Sequence, residues 1–373
     1  MKVAYLIVGM DVSKINGVNK KILSTIREWK KQGKDVRLVN ICKSSQQIHP
    51  DFKDLEGNIL NVFIKSNVER LFSKTLFKEV YQWNPDVIYV RGIQYGAPFF
   101  KLYRDFNVIQ EMNTNDLMEM RKFFLESMKN FNFKKIISAG MYLSLRNTSL
   151  KKITGFVLLN HELKKIIPNN KPYTVVGDGI DLSKYRTIER KNKIKGHKDI
   201  VFMCTATHEW YGLDKLFDIA KKNNMHKFHI IGLKKETVTY KEIPSNIEFH
   251  GFLSEKEYKE ILLMCDVAIA SLSLHVIGMT EGSPLKVREY LAYRLPVITG
   301  FFDTDFMYRK DTFMLQLPSE ENNVYENEEK IRKFIDNSDL LKVNLKDIEH
   351  LDYEYKESKR LQFFNEVNCK KMV

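Results

Sequence analysis

The sequence predicts an α/β protein with two doubly wound domains, each built on a parallel sheet. Short apolar runs alternate with segments of helical periodicity in both halves of the chain, which is the pattern of strand–helix–strand units. The length of 373 residues also exceeds what one hydrophobic core usually organises. We therefore expect two domains of similar size.

Composition narrows the class of protein without naming a partner. An apolar content of 43% is typical of globular chains, and a formal net charge of +13 favours anionic partners of an unspecified kind. The four cysteines lack the spacing of a metal site, and we expect Cys204 and Cys265 to be buried thiols. The chain shows no signal peptide and no apolar run of membrane-spanning length, so we expect a cytoplasmic protein. Peripheral attachment to the inner face of the cell membrane stays an open alternative.

The first half opens as a strand–helix–strand unit, with a helix expected from Asn19 to Lys31. Five strands are expected in this half, at 2–8, 36–41, 85–92, 108–113 and, as the last one, 156–159. Arg91 and Glu111 fall at the carboxyl ends of two of these strands, where open parallel sheets bind their ligands. Glu111 is either a ligand contact or part of a structural ion pair.

Residues 117–152 mix basic and aromatic side chains. Eight lysines and arginines stand against two glutamates in this segment, and phenylalanines such as Phe123, Phe131 and Phe133 are interleaved with them. Two interpretations are open. The segment is a basic amphipathic hairpin that lies on anionic lipid, or its aromatic residues face the domain core while its lysines face water.

The second half repeats the alternation, with a helix expected from Leu213. Strands followed by loops or turns are expected within 199–204, 229–232, 247–253, 265–270 and 296–300. A glycine-flanked turn at 177–181 separates the halves, and the charged run 189–198 is interpreted as a solvated linker. After Lys330 the chain is charged and helical to its end.

Residues 279–300 are the segment in which we place the chemistry. Ser283 and Pro284 predict a helix that begins at Pro284, with the serine hydroxyl capping its free amides. Glu281 precedes this helix and Glu289 lies inside it, while Gly282 is expected to let a ligand approach the backbone. The start of a helix attracts phosphate. One carboxylate on each side of a phosphate site suits a nucleotide sugar.

The spacing of Glu281 and Glu289, with seven residues between them in EGSPLKVREYLAYRLPVI, resembles the signature of the retaining GT-B glycosyltransferases. This is the glycosyltransferase family 4-like class, also called the group 1 glycosyltransferases. The resemblance implies two Rossmann-like domains that face each other across a cleft. It implies an acceptor domain over 1–176, with a C-terminal helix at about 351–373 packed back on it, and a nucleotide-sugar donor domain over 177–350.

The same resemblance assigns roles to residues. Glu281 would bind hydroxyl groups of the donor sugar, Glu289 would bind the ribose, and the donor would also contact Gly282, Ser283, Pro284 and Leu285. The loop that holds Gly17 would approach the donor phosphates or the acceptor, and the turn that ends at Leu253 would contact the base. His208 lies in a loop, 205–212, that usually supplies cations for the diphosphate. Since that loop holds none at those positions, Lys215 or Lys286 is expected to neutralise the diphosphate. Arg91 and Glu111 are the candidates on the acceptor side.

The resemblance implies a retaining, metal-independent transfer of a hexose-type sugar from a UDP-sugar to a glycan or lipid-linked glycan acceptor, in bacterial surface polysaccharide synthesis. We expect no cofactor, no bound metal and no nucleic-acid partner, and we interpret Asp303-Thr304-Asp305 as a loop after a strand. Two alternatives stay open. One is a nucleotide-sugar epimerase of the same architecture, and the other is a non-catalytic, basic membrane-binding or nucleic-acid-binding protein.

Overall fold

A computed structural model describes residues 1–44, 47–188, 196–240 and 242–371. The chain divides into two compact units. Unit 1 comprises Met1–Val176 and Tyr353–Val373, and unit 2 comprises Gly177–Asp352. Most of the charged run predicted as a linker, 189–195, lies outside the described residues.

Unit 1 is built on a seven-stranded sheet in the described part of the chain, and every strand pair in it is parallel. Its strands are β1 (Lys2–Val8), β2 (Asp35–Cys42), β3 (Ile59–Phe63), β4 (Val87–Arg91), β5 (Val108–Met112), β6 (Gly155–Leu158) and β7 (Tyr173–Val175). The spatial order is β3-β2-β1-β4-β5-β6-β7. The order reverses between β1 and β4, which is the arrangement of a Rossmann-like sheet.

Helices cover both faces of this sheet. They are α1 (Gly17–Lys31), α2 (Asn67–Phe72), α3 (Lys78–Trp83), α4 (Ala97–Asp105), α5 (Asp116–Lys129), α6 (Phe133–Lys152) and α12 (Tyr353–Lys371). Alternate residues of β1 enter opposite cores, with Ala4 and Leu6 on one face and Val3 and Tyr5 on the other. This alternation explains the continuous apolar run at the start of the sequence, because a parallel sheet is buried on both faces.

The C-terminal helix α12 packs on α1 within unit 1. The Trp29 and Phe364 rings meet edge to face with their centroids 5.3 Å apart. The buried Glu357 carboxylate accepts hydrogen bonds from the Trp29 indole at 2.7 Å and from the Thr25 hydroxyl at 3.2 Å. Residues from the two ends of the chain therefore share one core.

Unit 2 repeats the design with a six-stranded parallel sheet among its described residues. Its strands are β8 (Asp199–Met203), β9 (Lys227–Ile231), β10 (Ile247–Gly251), β11 (Val267–Ile269), β13 (Val297–Thr299) and β15 (Met314–Gln316), in the order β10-β9-β8-β11-β13-β15. A separate parallel pair joins β12 (Glu281–Gly282) to β14 (Phe302–Asp303). The helices are α7 (Leu213–Lys222), α8 (Glu255–Met264), α9 (Leu285–Ala292), α10 (Glu328–Asp336) and α11 (Leu345–Ile348).

The structure corrects one assignment of strands in the first half. Residues 156–159 were expected to hold its last strand, but β7 follows and pairs with β6 through Phe156 and Tyr173. Strand β7 has three residues and no buried side chain. Strand β3 was not anticipated either, since its side chains are all partly or fully exposed.

Candidate functional site

The polar loops of unit 2 meet at the point where its strand order reverses, between β8 and β11. Open parallel sheets bind ligands at such a point. The amide of Leu272, after β11, donates to the carbonyl of Tyr211, after β8, at 3.0 Å. Gly212 permits this approach, because its φ of +71° is left-handed and a Cβ there would lie 2.7 Å from the Ser273 hydroxyl. The two loops form one surface.

Glu281 and the start of α9 continue from this surface. Glu281 lies on β12 and is 8% exposed, so a short strand pair holds its backbone. The helix begins at Leu285, because Pro284 is extended with ψ at 138°. The predicted start at Pro284 is therefore wrong by one residue. The positive end of the helix dipole lies four residues beyond Glu281.

Ser283 does not cap α9 as predicted. Its hydroxyl accepts a hydrogen bond from the amide of Asp178 at 2.7 Å and one from the guanidinium of Arg288 at 2.6 Å. The serine is 2% exposed. It ties the segment after residue 176 to the start of α9, and this use of the hydroxyl explains why the capping prediction fails.

Arg288 is the most buried charge of this segment, with no exposed surface. Its guanidinium binds Asp303 at 2.6 Å, Asp305 at 2.7 Å and the carbonyl of Asp178 at 2.9 Å. Although burial alone would lower the pKa of Arg288, the two carboxylates raise it above its usual value. The two carboxylates of the Asp303-Thr304-Asp305 sequence therefore bind the Arg288 guanidinium.

Gly282 packs closely against the protein on the side where a Cβ would lie, and the predicted close approach of a ligand to its backbone stays a prediction. A Cβ at this position would meet the Phe301 ring at 3.1 Å and the Leu274 side chain at 3.2 Å. The space beside its Cα is thus filled by the protein. Its carbonyl accepts a hydrogen bond from the amide of Thr304 at 3.0 Å.

Glu289 is held by a tyrosine from the neighbouring helix. The Tyr258 hydroxyl, on α8, donates to Oε1 of Glu289 at 2.7 Å. Burial raises the pKa of Tyr258, and the negative charge of Glu289 raises it further. The tyrosine therefore stays a hydrogen-bond donor, and it fixes the side chain that was predicted to bind ribose. Leu253, two residues before α8, is partly buried and packs against the hydrophobic core that contains Tyr290 and Leu291 of α9.

Lys286 brings a cation to the loop after β8. Its ammonium donates to the carbonyl of Met203 at 2.7 Å and lies 4.2 Å from the centroid of the Tyr211 ring. Burial lowers the pKa of Lys286 to about 8. His208, in the same loop, is exposed and stacks on Trp210 with ring centroids 4.0 Å apart.

Lys215 has different surroundings. Its ammonium donates to Asn323 and to the carbonyl of Glu320, both at 2.8 Å, and to the carbonyl of Leu272 at 3.3 Å. These three oxygens match the three hydrogens of an ammonium. It lines a cavity of about 540 Å³ whose charged lining is mainly acidic, namely Glu209, Asp214, Asp218 and Glu321 besides Lys215 and Lys222. An acidic cavity disfavours a diphosphate, so the geometry favours Lys286 for that role.

The predicted acceptor-side residues lie together in unit 1. Glu111 is 4% exposed and contacts Lys21 at 3.0 Å, Arg91 at 2.9 Å and the Tyr5 hydroxyl at 3.2 Å. Although burial alone would raise the pKa of Glu111, the charges of Lys21 and Arg91 lower it well below its usual value. Of the two roles left open for Glu111, the structural ion pair is present. Gly17 is the exposed first residue of α1.

Helices α5 and α6 form a hairpin with an apolar tip. Seven large apolar residues of the hairpin, most of them toward the turn, are 37–78% exposed, namely Met118, Phe123, Leu125, Met128, Phe131, Phe133 and Ile137. The base of the hairpin is anchored, since Arg146 is 3% exposed and binds Asp116 at 2.5 and 2.8 Å. The interpretation that the aromatic residues face the core is thus wrong for the tip. None of the described helices is long and apolar enough to cross a membrane.

Part of unit 2 is similar in sequence to a known protein family. Residues 184–346 match the family described as glycosyl transferases group 1, and this stretch contains Glu281, Lys286 and Glu289. This part of the chain is a group 1 glycosyltransferase domain. No curated protein sequence gives a significant match to the chain.

Solved structures share the fold of the glycosyltransferase domain and of unit 1. The lipopolysaccharide outer core galactosyltransferase WaaB in its apo form aligns over 100% of both chains, with a TM-score of 0.65 and 13% identity. Anabaena HepE, in complex with UDP and glucose, aligns over 98% of this chain and 100% of its own, with a TM-score of 0.60 and 11% identity. The TM-scores and the coverage show a shared fold, and at these low identities the likeness shows the fold alone. The prediction of two Rossmann-like domains of the GT-B class is therefore confirmed.

One structural neighbour was solved in complex with DNA. An alpha-glucosyltransferase in complex with UDP and a 13-mer DNA aligns over 98% of this chain and 100% of its own, with a TM-score of 0.58 and 12% identity. The expectation that nucleic acid is not a partner is inconsistent with a DNA complex of the same fold. We therefore withdraw that exclusion.

Sequence reasoning missed two residues that organise the glycosyltransferase domain. Arg288 was passed over, because an arginine and two aspartates fifteen and seventeen positions later have no spacing that marks them as an ion pair. Tyr258 gave no signal, because a tyrosine on a charged helix is ordinarily a surface residue. Its role depends on the packing of α8 against α9, which joins positions 31 residues apart.

Proposed function

We propose that this protein is a retaining glycosyltransferase that transfers a hexose-type sugar from a UDP-sugar to a glycan or lipid-linked glycan acceptor. Bacterial surface polysaccharide synthesis is the setting that we propose for it. The observation that carries the proposal is the placement of Glu281 and Glu289 on either side of the first turn of α9, inside the glycosyltransferase domain. The UDP complexes of HepE and of the DNA-bound alpha-glucosyltransferase support UDP as the nucleotide.

In the proposed reaction, the protein binds and orients while the donor supplies the base. The bond between the anomeric carbon and the diphosphate oxygen breaks, and the acceptor hydroxyl forms a new bond on the same face of the sugar. The proton of that hydroxyl passes to an oxygen of the departing diphosphate. Glu281 would bind hydroxyl groups of the sugar and Glu289 those of the ribose, which differs from the acid and base pair of a glycosidase.

The departing diphosphate needs positive charge near it. The start of α9 supplies a dipole, and Lys286 lies one residue into that helix. A cation beside Tyr211 and partly removed from water interacts with phosphate more strongly than a solvated one. We therefore assign this role to Lys286 before Lys215, whose hydrogens already bind three oxygens.

Metal independence is part of the proposal. Asp303 and Asp305 form the acidic pair that most resembles a metal motif in the sequence, and both bind Arg288. A divalent cation at that pair would lie against a buried guanidinium. This repulsion supports transfer without a metal at these two residues.

Binding and transfer by three variants test the proposal. Glu289→Ala should weaken UDP binding in a calorimetric titration, and Glu281→Ala should abolish sugar transfer while UDP still binds. Glu236→Ala changes an exposed glutamate of the same unit and should match the wild type. Full activity and unaltered UDP binding in both site variants would refute the assignment.

The alternatives give different products or partners. An epimerase would convert the sugar of a UDP-sugar without releasing UDP, whereas a transferase releases UDP in step with acceptor glycosylation. A basic binding protein without enzymatic activity would bind polynucleotide with strong salt dependence and would not bind UDP. The DNA-bound neighbour makes DNA a second acceptor class to assay beside glycans.

The hairpin of α5 and α6 supports the proposal that the protein binds a membrane surface, where a lipid-linked acceptor would lie. Its tip combines apolar side chains, of which Phe131 is 78% and Phe133 71% exposed, with exposed cationic side chains such as those of Lys134 and Lys135. Apolar side chains that enter the interface and cations that face anionic headgroups act together in such segments.

Sedimentation with vesicles tests this membrane role. Wild-type protein should bind phosphatidylglycerol vesicles, and Phe131→Ser with Phe133→Ser should reduce that binding. Phe72→Ser removes a phenylalanine that is 67% exposed on α2 of the same unit and should leave binding intact. Equal loss in both variants, or equal binding to uncharged phosphatidylcholine, would contradict the proposed orientation.

A further inference from the structure

A cluster of histidine and carboxylate side chains lies at the edge of the unit 2 sheet. His229 is on β9, and Glu248 and His250 are on the adjacent edge strand β10. Nδ1 of His229 and Nε2 of His250 are 3.0 Å apart, and each histidine has a nitrogen 3.8 Å from a Glu248 carboxylate oxygen. Among the residues that the structure describes, these three are the set whose ligand atoms lie close enough to share one metal ion.

We propose that His229, His250 and Glu248 bind a divalent transition-metal ion of the zinc class. Tetrahedral ligands at about 2.0–2.1 Å from zinc are about 3.3 Å from one another. One ligand atom from each of the three residues lies within 4.8 Å of the other two, so modest side-chain movements would bring them to this spacing. Two imidazoles and a carboxylate are a ligand set that zinc accepts. Glu248 is 65% exposed, so its side chain can adjust and water can complete the coordination.

A buried carboxylate prepares His229 for this role. Nε2 of His229 lies 3.1 Å from Oδ1 of Asp199, and both side chains are 2% exposed. When Nε2 carries the proton and donates it to Asp199, the lone pair of Nδ1 faces His250 and Glu248. Metal-binding histidines commonly have such a carboxylate on the other ring nitrogen.

The remaining side chains fit the same arrangement. His250 supplies the second imidazole from the edge strand β10, and its side chain is 17% exposed. In the metal-free protein the two rings are close enough for one hydrogen bond, with the proton on Nε2 of His250. Metal binding at that nitrogen would move the proton to Nδ1 of the same ring. The ion would fasten the edge strand β10 to β9, just before the turn at Gly251.

The test uses untagged, full-length protein that has been stripped of metal and titrated with zinc chloride in a calorimeter. We expect one zinc ion per chain, with affinity weakened about tenfold or more in His250→Gln and in Glu248→Gln. His49→Gln is the matched control, because His49 is a partly exposed histidine of unit 1 with Asp51 at 3.9 Å. It should bind zinc like the wild type.

The midpoint of thermal unfolding gives a second test of zinc binding. Zinc should raise the midpoint of the wild type and of His49→Gln, and it should raise that of Glu248→Gln much less, while magnesium should have no such effect. Glu248→Gln changes an exposed side chain and is expected to fold, so it tests zinc binding even if His250→Gln fails to fold. Zinc affinity and stabilisation that are unchanged in a folded Glu248→Gln or His250→Gln protein would overturn the proposal, as would the absence of zinc binding by the wild type.

Discussion

Arg288 lies 2.6 Å from Asp303, and neither side chain has any exposed surface. Asp303 belongs to β14, which pairs with the strand that carries Glu281, so the ion pair joins α9 to that strand pair. The guanidinium also binds Ser283 and Asp305, which leaves the buried charge well compensated. The two ends of the proposed donor site are thus positioned by a residue that is not itself assigned to binding.

Removing this arginine should destabilise unit 2. Arg288→Met leaves the buried Asp303 carboxylate without its partner, and losses of this kind cost about 3–5 kcal/mol. Urea unfolding should show a lower free energy of unfolding. Lys333→Met is the control, because Lys333 and its partner Glu329 are about two-thirds exposed, at 67% and 68%. An Arg288→Met protein as stable as the wild type would mean that the network does not hold the fold.

UDP binding should depend on pH through Lys286. With a pKa of about 8, this ammonium is about nine-tenths charged at pH 7 and about one-tenth charged at pH 9. The affinity for UDP should therefore fall by up to about tenfold over this range. Lys286→Met should bind UDP weakly at pH 7 and lose this dependence. A wild-type affinity that stays constant from pH 7 to pH 9 would exclude Lys286 as the cation.

Tyr258 is predicted to position Glu289. Tyr258→Phe removes one hydrogen bond to the carboxylate, which should raise the KM for the UDP-sugar by about 2–10-fold and leave kcat unchanged. Tyr81→Phe is matched to it, since the Tyr81 hydroxyl donates to Asp105 at 2.8 Å in unit 1. A purely structural role would appear instead as lower stability, with KM unaltered in the folded protein.

Glu111 should contribute to stability at neutral pH and lose this contribution in acid. Its pKa in the folded protein lies below the unfolded value, so folding favours the ionised form. The stabilisation is complete above the unfolded pKa of about 4.3 and is lost as the pH falls below it. The free energy of unfolding should therefore drop more between pH 6 and pH 3.5 for the wild type than for Glu111→Gln. Equal drops would show that the ion pairs with Lys21 and Arg91 add no net stability.

The sequence predicted most strands of both sheets, because a parallel sheet buries both of its faces and its strands are continuous apolar runs. It failed where a strand is short and held by pairing alone. The pair of β12 and β14 has two residues on each strand, and no periodicity can be read from so few. The helix start was missed by one residue, because Pro284 is extended, and the capping prediction failed because the hydroxyl of Ser283 binds Arg288 and Asp178.

By itself the sequence determined the alternation of strands and helices, the segment from Glu281 to Glu289 and the basic, aromatic character of residues 117–152. These are local properties, because periodicity, spacing and composition are read from neighbouring residues. Only the tertiary structure decided which polar atoms meet. Arg288 reaches Asp303 across 15 positions, Tyr258 reaches Glu289 across 31, and Ser283 reaches Asp178 across 105. Such partners are chosen by the packing of helices on a sheet, and a hydrogen bond between distant residues leaves no periodic signal in the chain.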